Sequence, residues 1–204
     1  GVCAAYNGGT HMPFEDCALY MSIPDAVVID PTDYAMIHCL TKKLAESKKF
    51  SYMRMVRKGI VKVYDDGADF EIGKGVTLKE GKDVTIIASG IMVDEALKAQ
   101  EALEAEGVSA KVVDMFTWKP IDEELIVASA KETGAIVTAE NHQVNCGLGS
   151  AVAQVVAKNC PVPMEMVGVQ NRFGQVGAQN FLQEEYNLTA ADIVAAVKKA
   201  IARK

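Results

Sequence analysis

The sequence predicts an α/β fold, with a mostly parallel sheet carrying helices on both faces, preceded by a smaller and partial α/β unit. Three observations carry this expectation. Short apolar runs alternate with stretches of helical period from Ala26 to the C-terminus. The runs are β-branched and continuous rather than alternating, as strands of a covered parallel sheet are. A turn-rich interval between Arg57 and Asp83 then separates two such series, with Gly59, Asp65-Asp66-Gly67, Gly73, Gly75 and Glu80-Gly81-Lys82 and little helical periodicity. The expected division is residues 1–58, a connection at 59–82, and a second unit at 83–204.

Within the first unit, Ala26-Val-Val-Ile-Asp30 reads as a buried strand stopped by Pro31-Thr32-Asp33. Thr32 or Asp33 can cap the helix that follows, in which Ile37, Leu40 and Leu44 form the inward stripe. A second strand is expected at Tyr52 to Val56. In the second unit, strands are expected at Val84 to Ala88, Ala110 to Met115, Ala135 to Ala139 and Met164 to Val169. Helices are expected at Met92 to Glu106, with Val93, Ala96, Leu97 and Leu103 inward, at Asp122 to Lys131, and at about Ser150 to Lys158. The acids of the Asp122 helix's first turn favour the helix dipole. The last helix opens on Thr189-x-x-Asp192, a capping-box-like start, and should bury Ile193, Val197 and Ile201. Two strands and one helix are too few to close a doubly wound sheet, so the beginning of the first unit is expected upstream of residue 1.

Composition narrows the function. Half of the 204 residues are hydrophobic and 24% are charged, which excludes a disordered or fibrous chain. A net charge of −6 without a basic block argues against nucleic acid as a partner. No apolar run approaches the roughly 18 residues of a membrane span, and no export signal is visible at Gly1 to His11, so no membrane association is expected and the location is read as cytoplasmic. The five cysteines form no Cys-x-x-Cys pair and read as reduced, buried thiols.

The most informative stretch is Asn7-Gly8-Gly9-Thr10-His11, where two glycines allow close backbone approach to a ligand and leave a histidine at the end of the loop. By itself such a histidine is as readily structural or solvated. Its context is His11-Met-Pro-Phe-Glu-Asp16, Met21-Ser-Ile-Pro-Asp25 and Val28-Ile-Asp-Pro-Thr32, followed by Arg54-Met-Val-Arg57, Gly90-x-Met-Val93, Lys119-Pro-Ile-Asp122, Glu140-Asn-His142, Gly147-Leu-Gly-Ser150 and Phe173-Gly174. In this order the motifs resemble those of the transketolase family of thiamine-diphosphate enzymes, over essentially the whole chain.

The resemblance implies that residues 1–58 end a pyrimidine-binding domain and that 83–204 are the family's C-terminal domain. It implies transfer of a two-carbon ketol unit between a ketose phosphate and an aldose phosphate, with thiamine diphosphate and Mg²⁺ in the complete enzyme. His11 would lie beside the reacting carbon, where a neutral imidazole can accept and donate protons. Arg57 would bind the sugar phosphate through its planar fork; its plain alternative is a solvated charge beside Lys58. Asn7 stands where many members carry an acid that recognises substrate hydroxyls, which leaves donor preference open. The cofactor's diphosphate and metal anchors would lie upstream of residue 1, so no tight cofactor binding is expected of this chain alone. Sugar phosphates, an N-terminal half or subunit of the enzyme, and further copies in a homo-oligomer are the implied partners. A deoxyxylulose-phosphate synthase and a 2-oxoacid dehydrogenase beta-type chain are alternatives, as is a non-catalytic dimerisation module.

Other features have structural readings. Cys146-Gly-Leu-Gly-Ser150 reads as a tight strand-to-helix turn, or else as an anion site at a helix start. Glu140 and His142 read as a structural pair, Trp118 as an anchor for a loop, and His38 has no partner in sequence.

Overall fold

The computed structural model describes residues 1–57 and 60–204; Lys58 and Gly59, where the expected boundary falls, lie outside the described residues. Two short 3-10 segments, Val2–Asn7 and Gly9–His11, open the chain. They are followed by α1 (Asp16–Met21), β1 (Val27–Ile29), α2 (Tyr34–Ser47) and β2 (Ser51–Met53). Then come β3 (Val76–Lys79), β4 (Val84–Ala88), α3 (Met92–Ala105), β5 (Ala110–Asp114), β6 (Thr117–Lys119), α4 (Glu123–Thr133) and β7 (Ile136–Gln143). The chain ends with α5 (Leu148–Asn159), β8 (Met164–Val169), α6 (Gln179–Glu185) and α7 (Ala190–Ile201).

Five strands form the larger sheet in the order β3-β5-β4-β7-β8, parallel throughout except for the edge strand β3, which runs antiparallel to β5. Consecutive residues of β4 point to opposite faces: Ile86 joins the core formed with α3 and α7, and Ile87 joins the core formed with α4 and α5. Both faces are therefore covered, as expected for this fold class. The smaller sheet has the order β2-β1-β6, with β1 parallel to β2 and antiparallel to β6.

Local chemistry explains the boundaries. Asp33 caps α2, its carboxylate accepting from the Met36 N–H at 3.1 Å. Asp122 caps α4 in the same way, with Gly134 in the left-handed conformation at the other end. Thr189 and Asp192 form the reciprocal capping box of α7.

Several expectations need correction. The inward stripe of α2 is Met36, Leu40 and Leu44, with Ile37 only half-buried, because the sheet meets the helix one residue earlier. A strand, β3, lies inside the turn-rich interval. Trp118 does not anchor a loop but sits in β6, fully buried, with its indole N–H donating to the Ser89 hydroxyl at 3.1 Å. Strand β2 is only three residues long and ends before Arg54. Of the five free cysteines only Cys3 and Cys17 are buried, while Cys146 is exposed.

Candidate functional site

A cleft of about 180 Å³ opens where the N-terminal segment, the end of β2 and β7 meet, and its walls include His11, Pro13, Asp16, Tyr52, Arg54, Arg57 and Asn141. His11 is exposed, and its Nδ1 lies 2.8 Å from the Thr10 hydroxyl. Arg57 is also exposed, and its guanidinium makes no hydrogen bond or ion pair with another described residue. The fold thus brings together two of the three residues singled out in the sequence. Asn7 does not line the cleft; it is exposed, and its carbonyl accepts from the Thr10 hydroxyl at 3.5 Å.

Beneath the cleft lies a buried polar network that the sequence did not reveal. Arg54 Nε donates to Asp16 Oδ2 at 2.9 Å, Nη1 to the Asn141 carbonyl at 2.6 Å and Nη2 to the Pro13 carbonyl at 3.1 Å. The Tyr52 hydroxyl donates to the same Asp16 oxygen at 2.7 Å. Burial alone would raise the pKa of Asp16, but the Arg54 guanidinium and the tyrosine outweigh it and hold the carboxyl below its ordinary range. One guanidinium therefore joins the segment two residues after His11 to α1 and β7, which fixes the floor on which His11 stands. The advance signals were that Asp16 and Arg54 stand in motifs of the resemblance and that Arg54 is a charge inside an expected strand.

His142 lies behind this floor. Its Nδ1–H donates to the Gln143 carbonyl at 2.8 Å, and its Nε2 accepts from the Ala18 N–H at 3.4 Å, so both nitrogens are used by the neutral ring. Burial, reinforced by Arg54, lowers its pKa to about 4. Asp16, Cys17 and His142 bring their ligating atoms within 4.8 Å of one another, but a metal ion would meet Arg54 there, and burial keeps the Cys17 thiol protonated.

The glycine motif before α5 does receive an acidic group, and that group is the protein's own. Glu140 accepts from the backbone N–H groups of Leu148 and Gly149, each at 2.8 Å. A Cβ on Gly147 would fall 2.0 Å from Glu140 Oε2, so glycine is needed there for the carboxylate to reach the helix start. Glu140 and His142 are adjacent, at 3.7 Å, rather than directly hydrogen-bonded.

An open, polar cleft on an α/β frame thus carries an imidazole, a group able to accept and donate a proton, and a guanidinium that has no partner among the described residues. The comparisons agree with the motifs. The transketolase C-terminal domain model matches residues 73–193. The subunit SqwH of a 6-deoxy-6-sulfo-D-fructose transketolase from Clostridium sp. strain MSTE9 is 44% identical over 204 residues, covering 100% of this chain and 63% of the relative. A subunit of an apulose-4-phosphate transketolase from Phocaeicola vulgatus is 36% identical over 170 residues, covering 83% and 54%. A solved structure described as a split gene transketolase, inactive beta4 tetramer, superposes with a TM-score of 0.92 at 49% identity, covering 96% of this chain and 64% of that one. The chain belongs to the transketolase family. It spans less than two thirds of the length of these relatives.

Proposed function

We propose that this chain is the C-terminal portion of a transketolase, acting with a separate or preceding N-terminal part to move a two-carbon ketol unit from a ketose to an aldose. In this reading residues 1–58 complete a pyrimidine-binding domain, and 83–204, joined through 59–82, form the C-terminal domain. The observation that carries it is the convergence on one cleft of His11 and of the Arg57 fork, which has no partner among the described residues. The names of the relatives include a sulfo-sugar and a sugar phosphate, and both terminal groups are oxyanions that a guanidinium suits. The substrate class is therefore a sugar with a terminal phosphate or sulfonate. The deoxyxylulose-phosphate synthase, beta-type chain and non-catalytic alternatives are not favoured by these relatives.

The walls of the cleft suit the substrate side of such a site. Its one carboxylate, Asp16, is already paired with Arg54, so the cleft lacks the acidic donor set a metal diphosphate needs. Those anchors are assigned to the N-terminal part, and thiamine diphosphate with Mg²⁺, bound there, would supply stabilisation of the carbanion. His11 would accept and return the proton at the substrate's carbonyl end, with Thr10 holding its Nδ1. Arg57 would hold the terminal oxyanion, and Asn7 could act on substrate hydroxyls only from outside this cleft. The relative described as an inactive beta4 tetramer is consistent with a need for the other part, and with self-association as a homo-oligomer. Among the described residues no helix is long and apolar enough to cross a membrane. In this reading the enzyme works in the cytoplasm, where unpaired thiols persist.

The test uses the complete enzyme. Arg57→Ala should raise KM roughly ten- to a hundredfold for phosphorylated sugars, the cost of one charge-assisted contact, with little change for hydroxypyruvate and an unphosphorylated acceptor. His11→Ala should lower kcat about 10²- to 10⁴-fold with both donors. Equal effects of Arg57→Ala on both donors, or an intact kcat without His11, would defeat the assignment.

A further inference from the structure

Arg57 follows Arg54 by three residues and precedes Val63 by six. On its N-terminal side the chain is fixed by the Arg54 network and by the Arg54 N–H, which donates to the Ile29 carbonyl at 2.9 Å. No backbone-to-backbone hydrogen bond among the described residues holds 55–57 or 60–62. The next fixed point is Asp33. One of its oxygens caps α2, and the other accepts from the backbone N–H groups of Val63 at 2.9 Å and Tyr64 at 2.8 Å. Asp33 is 1% exposed, so both oxygens are committed inside the protein.

Tyr64 reinforces the same point. Its hydroxyl donates to Asp114 Oδ2 at 2.8 Å, an oxygen that also accepts from the Thr32 hydroxyl at 2.6 Å. Its ring packs edge-on against Phe70, with the centroids 4.7 Å apart. The residue that caps α2 and the residue at the end of β5 thus grip the chain just beyond Arg57.

We propose that Asp33, assisted by Asp114 through Tyr64, is a positioning residue for Arg57: the two carboxylates fix the far end of the segment that presents the guanidinium to the substrate's terminal oxyanion. This rests on the phosphate-binding role proposed for Arg57. Asp33 never touches substrate; it sets where the fork stands. Loss of the latch should therefore weaken binding of the oxyanion while leaving the reacting end, held by the Arg54 floor, intact.

Two variants of the complete enzyme test this, with xylulose 5-phosphate as the phosphorylated donor and hydroxypyruvate with an unphosphorylated acceptor as the control. Asp33→Ser keeps an N-cap hydroxyl for α2 but is too short to hold Val63 and Tyr64 as well. Tyr64→Phe removes only the bond to Asp114. The expected result for Asp33→Ser is a KM for xylulose 5-phosphate raised about three- to tenfold, with kcat and the hydroxypyruvate reaction unchanged, and no further rise when Arg57→Ala is already present. Tyr64→Phe should show a smaller rise of the same selectivity, and it carries the test if Asp33→Ser does not assemble. Equal losses on both donors, or an unchanged KM in both variants while Arg57→Ala shows its selective rise, would overturn the positioning role alone. Absence of a selective rise in Arg57→Ala would overturn the phosphate reading and this inference together.

Discussion

Lowering the pH should weaken this fold through one residue, His142. Its two nitrogens are committed as a neutral ring, Nδ1–H to the Gln143 carbonyl and Nε2 to the Ala18 N–H, and the edge of Trp118 closes over it at 5.2 Å. A proton on Nε2 would face the Ala18 donor; Asp16 Oδ1, 3.8 Å away, favours the charge, but burial and Arg54 outweigh it. Burial and that guanidinium set the folded pKa at about 4, against about 6.5 when unfolded. Because the folded value is the lower one, the unfolded chain binds more protons between these limits. Stability from this group is thus complete above about pH 6.5 and is lost as the pH falls toward 4. Between pH 7 and pH 5 the loss is about 2 kcal/mol. Asp114 and Glu140, raised by burial to about 7 and about 8, act in the opposite sense, since protonation favours their folded state. The assay must therefore be a difference: urea unfolding of the wild type and of His142→Asn at both pH values. The destabilisation caused by the substitution should shrink by about 2 kcal/mol at pH 5. A substitution effect that stayed constant with pH, or a ring whose proton resonances titrate near the ordinary histidine value, would refute the reasoning.

One outcome concerns the buried Arg54 network and one the capping box of α7. Arg54→Met should cost about 3 to 5 kcal/mol in urea unfolding, because Asp16 is left as an unpaired buried charge, and adding Asp16→Leu should recover much of it. Thr189→Ala removes the capping box of α7 and should cost about 1 kcal/mol, with faster amide exchange confined to the first turn of that helix.

What the sequence disclosed, and what it withheld, follows from range. Strands β4 and β8 were legible to the residue because each is a short apolar run bounded by turn formers or a proline. Strand β6 was not: three residues before Pro120 carry no period, and their partner is β1, far back in the chain. Strand β3 was hidden among glycines and charges, as a half-buried edge strand can be. Whether Ile37 or Met36 faces inward depends on the angle at which α2 meets the sheet, which periodicity alone fixes only to within one residue. At the site, His11 was visible because its motif is contiguous. The Asp16 network was invisible because Tyr52 and Arg54 stand 36 and 38 residues away from the carboxylate they share. The glycines before α5 did mark the seat of an acidic group, but the carboxyl that fills it belongs to the strand leading into the turn.

The antiparallel seam between β1 and β6 limits how this protein can move. Thr117–Lys119 departs from the end of β5 in the larger sheet and completes the smaller one, and the Trp118–Ser89–Asp30 chain of hydrogen bonds ties the same strand to the ends of β4 and β1. Swinging one sheet away from the other would tear ladder bonds and expose a buried indole at once. A hinge between the sheets is therefore a costly motion. His11 and Arg57 stand exposed on an open cleft, so reaching them asks for no such swing, and the body beneath them moves as one piece.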